Sequence, residues 1–110
     1  MDELAPAPAA APQLSERQRK HLRGLAHALK PLIRVGHAGL TAALAAETAR
    51  LLSDHELIKV KAALGDRSQR DELFASLARQ TGSALVHRIG NVAVLYRPHA
   101  KLARILIPDR

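Results

Sequence analysis

The 110-residue chain contains no cysteine and no tryptophan, and it has one Phe and one Tyr. The absence of cysteine excludes disulfide bonds and thiolate metal sites and fits a reducing compartment, so we expect a cytoplasmic protein. No apolar run approaches the roughly 20 residues that span a bilayer. Acidic residues are also scarce, with 10 Asp+Glu against 17 Lys+Arg, a net charge of +7 and a pI near 10.8.

The excess of positive charge lies after the first 14 residues. This opening segment holds Asp2 and Glu3 but no Lys or Arg, so residues 15–110 carry 17 Lys+Arg against 8 Asp+Glu, a net charge of +9. A domain with that charge attracts polyanions, nucleic acid above all. A solvated basic surface and binding to anionic lipid are the alternatives that composition leaves open.

The two ends of the chain differ in composition from its middle. Residues 1–13 read MDELAPAPAAAPQ, which lacks the basic start of a secretory signal and, with its alternating Ala and Pro, predicts a disordered tail. Residues 14–98 have the size of one domain with one core. Residues 99–110 form a basic extension, in which we expect the apolar segment 104–108 to dock partly on the domain.

A capping-box pair, Ser15 and Gln18, predicts a first helix over about residues 15–28, which Pro31 brings to an end. Apolar residues recur in it at helical spacing, at Leu22, Leu25, Ala26 and Leu29. Its other face carries basic residues that suit either a solvated surface or contact with RNA, namely Arg17, Lys20, Arg23 and, near the end, Lys30.

The sequence LIRVGHAGLT, residues 32–41, predicts a strand, a loop with two glycines and the start of a second helix. Ile33 and Val35 suit a half-buried strand, and Thr41 suits the N-cap of a helix that runs to about residue 53. The loop between them, Gly36-His37-Ala38-Gly39, brings glycine backbone next to the positive end of a helix dipole, a combination that suits a phosphate. The same glycines also suit a turn that only reverses the chain.

Alternation replaces helical spacing in HELIKVK, residues 55–61, which predicts a second strand with Lys59 and Lys61 on one face. These two lysines suit contact with a polyanion, exposure to solvent or protection of a sheet edge. A third helix, ending near Thr81 before Gly82 as its cap, has a predicted core stripe. The stripe consists of Leu73, Phe74, Leu77 and Ala78.

A hairpin completes the domain, because two strand-like runs flank Gly90-Asn91, a pair that suits a primed turn. This register pairs His87 with Val94 and places Arg88 and Arg97 on the opposite face. The predicted order is therefore α-β-α-β-α-β-β. In this α/β fold, strands joined through helices run parallel and the hairpin adds an antiparallel strand.

Four blocks of the sequence resemble one family, in the family's order. They are LSERQRKHLRGLAHALKPLIRVG at 14–36, the GxxG loop at 36–39, HELIKVK at 55–61 and GNVAVLYRP at 90–98. Together they resemble the CRM domain, the chloroplast RNA splicing and ribosome maturation domain, in its stand-alone bacterial form known as YhbY. Two features depart from the family pattern: His37-Ala38, where relatives often carry a lysine or small polar residues, and the Ala/Pro tail.

The resemblance implies a four-stranded mixed sheet with three helices, similar to the C-terminal domain of bacterial translation initiation factor three. It also implies binding of structured RNA, ribosomal RNA in particular, and association with precursors of the large ribosomal subunit. We expect a monomer with no cofactor, metal ion or membrane partner. The candidate RNA-binding residues are those of the loop and basic residues elsewhere in the domain: Gly36, His37, Ala38, Gly39, Lys20, Arg23, Lys30, Arg34, Lys59, Lys61, Arg88 and Arg97.

Histidine chemistry supplies the alternative function. No HxxxH or HExxH pattern occurs among the six histidines, so a metal site lacks its motif. A small RNA-processing enzyme that uses His37 or His55 for proton transfer is the alternative, and a basic first helix acting on membranes is a further one. Glu56, next to His55, is interpreted as structural because it falls at a helix-to-strand turn.

The shortage of aromatic residues bears on the manner of binding. Phe74 lies on the predicted core stripe, which leaves at most Tyr96 as a platform for stacking bases. We therefore expect recognition of phosphate, 2′-OH and shape rather than recognition of splayed bases.

Overall fold

The computed structural model describes residues 11–63 and 65–109, so residues 1–10 of the tail predicted over 1–13 lie outside the described residues. Three helices and four strands follow one another in the predicted order, α-β-α-β-α-β-β. Their bounds are α1 Glu16–Ala26, β1 Pro31–Val35, α2 Ala42–His55, β2 Leu57–Ala62, α3 Arg67–Thr81, β3 Ala84–Ile89 and β4 Val92–Tyr96.

The helices begin and end at the local signals that the sequence contains. Ser15 and Gln18 form a reciprocal capping box at the start of α1. The Thr41 hydroxyl accepts a hydrogen bond from the Leu44 N–H at 3.0 Å and so caps α2. Gly82 ends α3 in the left-handed conformation, with φ of 64°. The caps predicted at these positions are confirmed.

The second helix runs two residues past its predicted end at residue 53. It continues to His55, and Glu56 then takes a φ of +66°. A residue in this left-handed region cannot continue a right-handed helix, so the chain turns at Glu56 and β2 begins at Leu57.

The four strands form one mixed sheet in the order β1-β2-β4-β3. β1 and β2 pair in parallel through the α2 crossover, whereas β4 pairs antiparallel with both β2 and β3. The predicted hairpin register is confirmed, with His87 opposite Val94. Because β4 is inserted between β2 and β3, parallel pairing is confined to β1 and β2.

Apolar residues fill both faces of the sheet. α2 and α3 cover one face over a cluster that includes Leu52, Ile58, Val60, Phe74, Leu77 and Leu95. α1 covers part of the other face, around Leu22, Ala26, Leu57, Val86, Val94 and Tyr96. Ile105 and Ile107 of the C-terminal segment pack against this second cluster. The second sheet face is therefore shared between α1 and the C-terminal segment.

The predicted apolar stripe of the first helix is wrong at two positions. Leu22 and Ala26 are buried, but Leu25 is 43% exposed and Leu29 is 39% exposed. α1 ends at Ala26, so Leu29 lies beyond the helix. Only Leu22 and Ala26, which are four residues apart on one side of the helix, pack against the sheet. Leu32 of the edge strand β1 is also exposed, at 48%. The β1 end of this sheet face is thus left open.

Candidate nucleic-acid interface

The GxxG loop, residues 36–39, joins β1 to α2 through a closed turn. The Gly39 N–H donates to the Gly36 carbonyl oxygen at 3.0 Å, and Gly39 has a φ of +68°, which favours glycine. Gly36 does not have a positive φ, so only one of the two glycines uses the conformational freedom that the sequence offered. A Cβ atom at either glycine would meet nothing within 4 Å. The outer side of the loop is therefore open to a ligand.

The start of α2 adds backbone donors beside this loop. The first N–H groups of a helix have no acceptor within the helix, and Thr41 satisfies that of Leu44. Among residues 11–63 and 65–109, no acceptor is found for the N–H groups of Ala42 and Ala43. These groups, together with the positive end of the helix dipole, favour an anion at this end of the sheet.

Basic side chains continue from the loop onto the open sheet face. Ile58 and Val60 point into the core beneath α2 and α3, so Lys59 and Lys61, which alternate with them, project from the opposite face. Arg34 lies opposite Lys61 in the register of β1 and β2, and it is exposed. We call the surface formed by Arg34, Lys59, Lys61 and the GxxG loop the basic face.

Lys59 lies where the basic face meets the first helix. Its ammonium group donates to the Leu29 carbonyl oxygen, just past the end of α1, at 2.9 Å. Arg23, His27 and His87 lie beside it along a groove of about 330 Å³ between the second half of α1 and the sheet. None of the described residues that line this groove, which we call the α1 groove, is acidic. Among these described lining residues, no carboxylate compensates the positive charge.

Arg88 and Arg97 lie on the other sheet face, as the register predicts, and both bind other parts of the protein. Arg88 forms an ion pair with Asp71 of α3, and its side chain is only 15% exposed. The Arg97 guanidinium donates to the carbonyl oxygen of Thr81, the last residue of α3, at 2.8 Å and to that of Ala49, in the middle of α2, at 2.9 Å. The structure does not bring these two arginines to the GxxG loop, and their donors stabilise the packing of the helices.

Lys20, on α1, and Lys30, beyond its end, are exposed.

Sequence reasoning did not place His27 or His87 in the candidate site. The signals were nevertheless present, because His27 follows Arg23 by four residues, which puts both on one side of a helix. His87 pairs with Val94, and Val94 in turn pairs with Lys59, which places His87 and Lys59 in one row across the sheet.

Glu56 is fully buried and holds the C-terminal segment. Its carboxylate accepts backbone N–H hydrogen bonds from His99 at 2.6 Å, Arg104 at 2.9 Å and Ile105 at 2.8 Å. Burial raises the pKa of this carboxyl, but the three donors and the charge of Arg104 outweigh that effect, and the net shift of the pKa is downward. These bonds support the structural interpretation of Glu56, whose oxygens are occupied by the backbone, while His55 beside it is exposed.

The rings of Phe74 and Tyr96 are both enclosed by the protein. Phe74 is 0% exposed and Tyr96 is 2% exposed, so neither ring can stack on a base. Within the described ranges, no group of three or more His, Asp or Glu side chains is placed to hold a metal ion, and no helix is long and apolar enough to cross a membrane.

The fold and the loop define a CRM-type domain, and comparison with known proteins supports this classification. The sequence model of the CRS1 / YhbY (CRM) domain matches residues 14–97. The chain belongs to this family. The resemblance carried by the four sequence blocks is confirmed.

Bacterial relatives match over most of their length. A Haemophilus influenzae protein named "RNA-binding protein" is 43% identical over 97 residues, which make up 88% of this chain and 97% of the relative. A Pseudomonas aeruginosa protein named "Probable RNA-binding protein PA4753" is 44% identical over 88 residues, or 80% of this chain and 85% of that one. The solution structure of the hypothetical protein SAV1595 from Staphylococcus aureus has a TM-score of 0.76 at 31% identity, covering 87% of this chain and 100% of its own. The predicted fold is confirmed.

Proposed function

We propose that this protein is a non-enzymatic RNA-binding protein of the cytoplasm that binds structured ribosomal RNA and associates with precursors of the large ribosomal subunit during assembly. The observation that carries the proposal is that the paired basic residues Arg34 and Lys61 lie on the sheet next to the open GxxG loop, within one basic face. The names of the Haemophilus influenzae and Pseudomonas aeruginosa relatives favour the same ligand.

The proposed mode of binding is contact with the RNA backbone. Lysine, arginine and backbone N–H groups are the usual partners of phosphate oxygens. On the basic face the charges of Arg34 and Lys61 lie beside a loop where backbone can approach a ligand closely. A double-stranded RNA segment presents phosphates and 2′-hydroxyl groups over a wide, shallow groove, which such a surface suits.

The dependence of RNA affinity on salt tests this proposal. Replacing Lys59 and Lys61 by Gln should weaken binding to a fragment of large-subunit ribosomal RNA, because a glutamine neutralises no phosphate and so releases no counterion. The slope of log affinity against log salt should decrease by roughly 0.7–0.9 for each lysine replaced, or about 1.4–1.8 for the double variant. Lys101→Gln is the matched control, since Lys101 is exposed on the C-terminal segment between His99 and Arg104, which bind Glu56 at the end of β2 opposite to the loop. An unchanged slope in the double variant would contradict the proposed phosphate contacts.

The ribosomal part of the proposal needs a test in cells. Crosslinking the protein to RNA in growing cells and sequencing the bound fragments should return mainly large-subunit ribosomal RNA and its precursors. The Lys59 and Lys61 double variant, expressed to the same level, should return far fewer such fragments than the parent. Fragments spread evenly over messenger RNA would contradict the assignment to ribosome assembly.

A further inference from the structure

We infer that the α1 groove binds one unpaired nucleotide of the RNA, with the base on the apolar floor of the groove and the phosphate at Lys59 and Arg23. This inference rests on the proposed RNA-binding function and adds a ligand class for a site beside the basic face.

The size and lining of the groove suit a single nucleotide. Its volume of about 330 Å³ lies at the small end of the range for small-molecule sites, roughly 300–1,000 Å³. Val92 and Val94 of β4 supply an apolar floor, and Ala26 of α1 supplies part of a wall. A nucleobase has apolar faces and polar edges, so it fits an apolar floor with a polar rim.

The charges of the rim suit the phosphate of that nucleotide. Lys59 uses one hydrogen-bond donor on the Leu29 carbonyl oxygen, and an ammonium group has three, so two remain for a ligand. Arg23 lines the same groove, and none of the described lining residues is a carboxylate that would compete for either cation. Lys59 and Lys61 are roughly 7 Å apart along β2, which lets one RNA strand contact both.

Histidine and arginine side chains take the place of the missing aromatic residues. Because Phe74 and Tyr96 are buried, a base bound at this surface has no Phe or Tyr ring to stack on. Imidazole rings and the guanidinium plane also stack on unpaired bases. His27, the C-cap of α1, and His87 of β3 both line the groove, and Arg23 lies beside them. This grouping revises the expectation, drawn from the count of aromatic residues, that splayed bases are not recognised.

The test compares two RNAs that differ by one nucleotide, a fully paired duplex and the same duplex with a single-nucleotide bulge. The parent protein should bind the bulged RNA about tenfold more tightly. Replacing both His27 and His87 by Ala should remove most of this preference and leave affinity for the paired duplex close to that of the parent. The matched control is His55→Ala, an exposed histidine outside the α1 groove, which should keep the preference.

A second measurement uses no long RNA and does not depend on the fold of a double variant. Titrating 5′-AMP into the isotope-labelled full chain should shift amide signals of groove residues, and His27→Ala, at an exposed position, should weaken those shifts. If the parent binds both RNAs equally, or if the double variant keeps the preference for the bulge, the groove does not hold a nucleotide while RNA binding stands. If the parent binds neither RNA, both the inference and the proposed function fail.

Discussion

Glu56→Gln should destabilise the protein by about 2 kcal/mol at neutral pH. The carboxylate accepts hydrogen bonds from the N–H groups of His99, Arg104 and Ile105. Hydrogen bonds to a charged group contribute about 1.5–3 kcal/mol each, and an amide offers one acceptor oxygen where the carboxylate offers two. At least one donor then faces an NH₂ group. Detachment of the C-terminal segment, which would let its N–H groups bind water, limits the total cost.

Thermal unfolding and hydrogen exchange measure this effect together. For a folded unit of this size, 2 kcal/mol corresponds to a decrease in Tm of about 8–16 °C. In the variant, the amide hydrogens of residues 99, 104 and 105 should exchange faster, whereas those of β2 and β4 should show only the decrease in protection that follows from lower global stability. The strain of the positive φ at residue 56 is common to both proteins and cancels.

The pH dependence of the free energy of unfolding shows the sign of the contribution that the ionised Glu56 carboxylate makes to stability. The folded-state pKa of Glu56 lies below the ordinary value of 4.5, so its stabilisation is complete above pH 4.5 and is lost as the pH falls through the folded-state value. The difference between parent and Glu56→Gln should therefore shrink in acid. Glu47→Gln, which removes an exposed carboxylate from α2, should leave Tm close to that of the parent. A Glu56→Gln protein as stable as the parent at pH 7 would refute this reasoning.

Three further predictions concern the loop, a cap and the core. Gly39→Asp should lower RNA affinity at least tenfold, or about 1.4 kcal/mol. The uncharged Gly39→Asn has a similar backbone cost at φ of +68° and should lower the affinity less. Equal RNA affinities of the folded Asp and Asn variants would falsify the phosphate-binding interpretation of the loop. Thr41→Ala should cost about 1 kcal/mol in urea unfolding through removal of the N-cap, with Thr41→Ser as the control that restores it. Phe74→Ala should cost about 3–5 kcal/mol, since Phe74 is 0% exposed; a cost under about 1 kcal/mol would mean that it is not a core residue.

Much of the fold could be predicted because its signals are local. The capping box of Ser15 and Gln18, the N-cap of Thr41 and the left-handed Gly82 each depend on a few neighbouring residues. Alternation along β2 likewise determines which side chains share a face, so Lys59 and Lys61 could be assigned to one side before the sheet was known. The length of the first helix and the burial of its leucines were harder to predict from the sequence, because both depend on how much of the sheet α1 covers.

The candidate site could be predicted only in part, for a related reason. Sequence alone identified the GxxG loop and the basic residues beside it, but a count of positive charges does not show which of them are free. Arg97 looks like any other basic residue until α2 and α3 bring the carbonyl oxygens of Ala49 and Thr81 within hydrogen-bond distance. The hydrogen bonds of Glu56 likewise could not be predicted from the sequence, since its three donors lie more than 40 residues further along the chain.

Local preferences were enough to specify which segments form helices and strands, the order of these elements along the chain, and the side of each strand on which a residue lies. They were enough because φ, ψ preferences and side-chain periodicity act over a few residues. The insertion of β4 between β2 and β3, by contrast, emerges only from tertiary packing. That insertion puts Lys59 and His87 on either side of Val94, and the end of α1 brings His27 into the same groove. Residues that are far apart in the sequence become neighbours in space only when whole helices and strands pack against one another, and no local sequence pattern specifies that packing.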